Sequence, residues 1–328
     1  MYSGGFSIYR ETFPLLQKFL DAYHSDFTPA PQTLIFGDSV ALRVAKDDSD
    51  QRSLETMVAD LVGEEKVCFI SHSAYNSLVY SQFCNAIASL PSKPLSVVVP
   101  INLRSFSPSW DLDPKYQFVW EAAVLADLAN NKQEPRPFIN STPVADAIYQ
   151  SIPVHLFEPE PRTIRSYLDV IEAKIGPGSK MEWRIRLKDI FELFYCHQIY
   201  QKHRKLKYLR WIYKTLTRMN IGVGFYITPI NYCAGEKYAG NRFVRRVKRN
   251  IEVIKNDLRS IGVDIVEEKD LIRLERGKPT SILVDKAFDC DQENFFSPHN
   301  ATEHIKSNAR RDLAEVIVKI SRVVAARA

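Results

Sequence analysis

The chain has 328 residues, 45% of them hydrophobic and 25% charged, with a formal net charge of +5. This is globular composition, long enough for one large α/β domain or two smaller ones, and too weakly basic to argue for nucleic acid by itself. The chain has no run of about 18 apolar residues to suggest a membrane span and no basic-then-apolar leader to suggest a signal peptide; five scattered cysteines without a Cys-x-x-Cys argue against a disulfide framework or zinc ribbon and for a reducing, cytoplasmic setting.

Phe13, Leu16, Phe19, Leu20 and Tyr23 recur at helical spacing within residues 9–24, and Pro29 and Pro31 end that helix. A short apolar strand from Thr33 then stops in Gly37-Asp38-Ser39. Gly37 permits a tight turn, and Ser39 falls in the first turn of the next helix, where free N–H groups and the dipole suit a developing oxyanion. The plainer reading of the tripeptide is turn chemistry with a capping serine. A second strand, Val67 to Ile70, ends in Ser71-His72-Ser73-Ala74-Tyr75-Asn76, with a helix over 78–90 behind it. A third, Leu95 to Ile101, ends in Asn102. Near-continuous apolar strands separated by a helix predict a parallel sheet covered on both faces, a three-layer α/β/α fold.

Between Ser105 and Asn220 the pattern changes. Prolines cluster over 135–161, and aromatic, basic helical stretches follow over 183–200 and 206–219. Residues 105–220 therefore read as a mainly helical insertion or lid between two parts of the core, 1–104 and 221–328. The sheet resumes over 221–229, followed by a basic helix over 241–261, a strand near 263–266 and a short apolar run at 282–284. A last helix sets Ile305, Ala309, Leu313, Ile317, Ile320 and Val324 on one face.

Three polar groups thus end three successive strands: Ser39, the Ser73-Ala74 turn and Asn102. Active sites of open parallel sheets form along that edge. Acyl transfer needs a nucleophile, a base and donors aimed at the oxyanion. Ser39 Oγ suits the first role, a histidine near the C-terminal end the second, and the Ser39 and Ala74 N–H groups with the Asn102 side chain the third.

In Phe36-Gly37-Asp38-Ser39, in the Ala74 turn and in Pro100-Ile101-Asn102-Leu103, the chain resembles the SGNH (GDSL-like) hydrolase superfamily of esterases, lipases and acyltransferases, over roughly 33–104 and 221–328. The resemblance implies a serine esterase or O-acyltransferase acting on a small-molecule or carbohydrate ester. Ser39 would be the nucleophile, Ser39, Ala74 and Asn102 the oxyanion donors, and no metal or organic cofactor is implied. The chain departs from the family at several points. Ala74 stands where glycine is expected, the usual Gly before Asn102 and Asp after it are missing, and neither candidate histidine has Asp three residues earlier.

The candidates are His304 and His299. Ile305, Ala309, Arg310, Leu313 and Ala314 follow His304 in a rhythm close to the family's, which favours it. Against it, Asn300-Ala301-Thr302-Glu303 resembles a capping box that would start the helix before His304 and leave His299 in the loop. The orienting acid stays open among Glu303, Asp291, Glu293 and a backbone carbonyl.

The same departures admit a second class, a catalytically degenerate protein of this fold that binds a glycan or a protein partner. Basic residues over 202–211 and 242–249 admit a third, a nucleic-acid or anionic-surface binder, although solvated helix faces are the simpler account and nucleic acid is not expected. Arg104 suits an anionic substrate group or a surface salt bridge. His72 suits a structural role, and Asn140-Ser141-Thr142 formally fits a glycosylation acceptor.

Overall fold

Six parallel strands form one sheet. They are β1 Thr33–Gly37, β2 Val67–Ser71, β3 Ser96–Ile101, β4 Gly222–Ile227, β5 Asp264–Val266 and β6 Ser281–Val284, in the order β2-β1-β3-β4-β6-β5. The structure, a computed structural model, describes residues 11–24, 29–107, 110, 116–130, 132, 182–274, 281–285, 294–295 and 302–325. The helices are α1 Pro14–His24, α2 Ser39–Leu42, α3 Leu54–Val62, α4 Ser77–Ala86, α5 Val119–Ala129, α6 Trp183–Tyr195, α7 Arg204–Arg218, α8 Tyr232–Ala239, α9 Asn241–Arg259, α10 Leu271–Leu274 and α11 Ser307–Ala325.

The three layers follow from strand periodicity. Leu34, Phe36, Val97, Val99, Val223 and Phe225 point to one side, into a core shared with α1, α4, α7 and α9. Ile35, Val98, Tyr226, Ile282 and Val284 point to the other, against α3 and α11. Burial on both faces is why these strands read as unbroken apolar runs. Helix α11 lies directly on β4 because Gly222 and Gly224 leave room. A Cβ at Gly222 would overlap the Val324 carbonyl, and one at Gly224 would overlap Ile320 Cγ2.

The described helices of segment 105–220 belong to the first of these layers. Helix α5 packs on α4, and α7, the crossover between β3 and β4, packs on both α4 and β4. Most of 131–181, including Asn140, lies outside the described residues. A crossover helix and an inserted helix share the same periodicity, so the sequence pattern alone does not separate them.

The thiols of Cys68, Cys84 and Cys196 are buried and outside any disulfide. Cys233 is disulfide-bonded. No helix among the described residues is long and apolar enough to cross a membrane.

Candidate active site

Strands β1 and β3 are neighbours, and the chain passes from β2 on one side of β1 to β3 on the other. The crevice at such a switch point, beyond the strands' C-terminal ends, is where open α/β sheets bind ligands. Asp38 and Ser39 follow β1 there, and Asn102 follows β3. Asp38 is the N-cap of α2, accepting from the Val40 N–H at 2.8 Å through Oδ1. Its Oδ2 accepts from Asn102 Nδ2, also at 2.8 Å. Asn102 Oδ1 in turn accepts from the Arg104 N–H at 3.0 Å. The Asn102 amide is therefore fixed in orientation, with one N–H given to Asp38 and a second still to give. Ser39 opens α2, where its N–H has no acceptor within the helix.

Ala74 occupies the position that the resemblance gives to glycine, and its φ is +71°, the left-handed region. Alanine thus keeps the backbone form glycine would supply, at a strain of order 1 kcal/mol. The His72 N–H donates to the Gly37 carbonyl at 3.2 Å, which sets the turn beside the end of β1. Tyr75 N–H closes the turn onto the His72 carbonyl at 3.1 Å, leaving the Ala74 N–H outside that bond. The His72 ring is exposed and packs on Tyr75 and Phe118.

His304 Nε2 lies 3.1 Å from Ser39 Oγ. Helix α11 begins only at Ser307, so the capping-box reading of Asn300 to Glu303 is corrected and His304 itself holds the loop position. Three ties hold that loop. The Asn231 N–H donates to the Thr302 carbonyl at 2.9 Å, and the Lys306 N–H to the Asn294 carbonyl at 2.9 Å beside a Phe295–Ile305 bridge. The third is Arg310, wholly buried. It pairs with Asp48 at 3.0 Å and donates to the Ile305, Arg52 and Asp50 carbonyls. It thereby joins the start of α11 to the segment that follows Ser39 and α2. His299, Asp291 and Glu293 lie outside the described residues.

Glu303 is buried and held by the Tyr195 hydroxyl at 2.5 Å and by Arg104 Nη1 at 3.2 Å. The Arg104 guanidinium lies over the Trp110 and Phe194 rings, so Arg104 serves an internal ion pair rather than a surface one. Burial raises the Glu303 carboxyl, but Arg104, His304 and the Tyr195 hydroxyl together hold it below the usual glutamate range. Glu303 thus remains charged next to His304 and favours the protonated imidazole. Asp38 behaves oppositely. Burial first, then the Glu303 charge, pushes it up to about 6 against the pull of Asn102 and the Val40 N–H.

A hydroxyl in hydrogen-bond reach of an imidazole nitrogen is the pair that general-base activation requires. Sequence reasoning missed Tyr195, which lies in a stretch with no motif, and the anchoring role of Arg310, seen only as part of a rhythm. Among the described residues no three His, Cys, Asp or Glu side chains gather as metal ligands would. The chain matches no protein-family model and no curated protein.

Proposed function

We propose that the protein is a serine-dependent ester hydrolase or O-acyltransferase of the SGNH type, acting on a small-molecule or carbohydrate ester. The observation that carries this reading is the 3.1 Å separation of Ser39 Oγ and His304 Nε2 at the switch point of a parallel sheet. Ser39 Oγ attacks the ester carbonyl carbon while His304 takes its proton. The Ser39 and Ala74 N–H groups and the second Asn102 amide proton meet the oxyanion. The tetrahedral adduct expels the alcohol, which receives the proton from His304. Water or an acceptor alcohol, deprotonated by His304, then attacks the acyl-enzyme and frees Ser39. The Glu303 charge favours the imidazolium in both halves.

The test is hydrolysis of p-nitrophenyl acetate and butyrate by wild type, Ser39→Ala, His304→Ala and His299→Ala. Ser39→Ala and His304→Ala are expected to lose about 10⁴-fold in kcat with unchanged circular dichroism, while His299→Ala retains turnover. A Ser39→Ala variant as active as wild type would falsify the mechanism. One observation favours the second reading, a binding protein on this fold: the Asn102 amide already donates to Asp38, which narrows what it offers a substrate. Failure of a fluorophosphonate probe to label Ser39 selects that reading.

A further inference from the structure

Charge is unevenly distributed over this molecule. Helices α7 and α9, neighbours in one layer, carry thirteen Lys and Arg and two acidic residues, net +11, whereas the whole chain is +5. The remainder of the molecule is therefore net negative. Both helices bury one side toward the sheet through Leu206, Leu209 and Leu216 and through Phe243, Val247 and Ile254. Lys205 is buried; the other cations lie on the outward sides of the two helices, which are bridged by an Arg210–Asp257 ion pair at 2.7 Å. Lys207, Lys214, Arg218, Arg245, Lys248 and Arg249 are all exposed and have no ion-pair partner among the described residues. Elsewhere the arginines Arg52, Arg104 and Arg310 are paired.

Apolar groups stand out among these cations. Trp211 is 51% exposed in the stripe Lys207, Trp211, Lys214, Arg218, which is one face of α7 at helical spacing. Its indole N–H donates to Asn85 at 2.6 Å, which holds the ring against the surface with its apolar body outward. Ile185 is 49% exposed next to the exposed Arg184 on α6, which packs on α9. Solvated helix faces that only keep a protein dispersed mix both signs, whereas the outward sides of α7 and α9 are predominantly cationic.

We propose that the outward face of α6, α7 and α9 docks onto a bilayer surface bearing anionic lipid headgroups. The unpaired Lys and Arg residues meet the headgroups, and Trp211 and Ile185 enter the boundary between headgroups and acyl chains. Lys and Arg around an exposed indole are the composition of interfacial anchors. A nucleic-acid surface would instead present a free helix for a groove or several aromatic platforms for bases. Helices α7 and α9 lie against the sheet, and Trp211 is the large exposed aromatic side chain among their described residues. The inference is independent of the chemistry at Ser39.

The test is flotation of the full chain with vesicles of phosphatidylcholine alone and of phosphatidylcholine mixed with phosphatidylserine. Binding is expected only to the second, falling as salt rises. Each Lys or Arg replaced by Gln is expected to weaken partition by about fivefold. The triple changes K207Q/K214Q/R218Q and R245Q/K248Q/R249Q should therefore each reduce binding by about a hundredfold. Trp211→Ala should weaken binding without changing its salt dependence. All of these positions are exposed, and unchanged thermal midpoints certify their folds. Equal binding to both vesicle types, binding unaltered by the triple changes, or capture of a duplex oligonucleotide in preference to vesicles would each overturn the proposal.

Discussion

Asp38 serves two partners at once, the N–H of Val40 and the amide of Asn102, while burial and the Glu303 charge oppose its ionisation. With its folded pKa about 6 and an unfolded value near 4, the folded state keeps a proton that the unfolded chain has lost. The stability contributed by protonated Asp38 is full below about pH 4 and is lost as pH rises through about 6. Glu303 has the opposite sign: its folded pKa is lowered, so its contribution is present above its unfolded value and lost as pH falls through the folded one. Asp38→Asn keeps a competent cap for α2 and removes the titration. Urea unfolding of wild type and Asp38→Asn between pH 4 and 7 should show the difference moving in favour of Asn by about 2 kcal/mol. A difference constant with pH would show that Asp38 does not titrate there. Ser39 and Asn102 were legible in the sequence because each ends an apolar run. The Asp38–Asn102 bond was not, since it depends on β1 and β3 being neighbours across 64 residues.

At the scale of elements, the segment before α11 decides where His304 sits, and Arg310 decides where α11 sits. Arg310→Met leaves Asp48 as a buried charge without its partner and should destabilise the protein by about 3–5 kcal/mol, measured by urea denaturation at neutral pH. Arg310→Lys should recover only part of that, because an ammonium cannot reproduce a planar fork spread over the Asp48 carboxylate and three carbonyls. Asp48 itself is held below the usual carboxylate range: burial opposes this, and the Ser307 and Arg310 contacts outweigh it. The penalty for losing Arg310 should accordingly shrink as acid protonates Asp48. The capping-box misreading has the same kind of cause. An exposed cap contributes about 1 kcal/mol, and Glu303 instead makes a charge-assisted bond to Arg104 and a short bond from Tyr195. Neither partner is visible within the few residues that a motif spans.

For the whole molecule, the alternation of apolar strands and helices made the parallel sheet readable, and strand ends pointed to the edge that carries Ser39 and Asn102. Helix α7 read as part of an insertion because 105–220 interrupts that alternation, yet it covers the sheet beside α4. The feature with the longest reach is the 265-residue separation of Ser39 and His304. A ribosome delivers Ser39 early and its imidazole late. At roughly 5–20 residues per second, the stretch from Gly222 to Ala325 takes roughly 5–20 seconds to appear. Helix α11, which packs with Val98 and Tyr226 in one cluster, is the last of the described elements to be made. His304 lies just before α11, so the helix that covers this face of the sheet and the imidazole that meets Ser39 are made together.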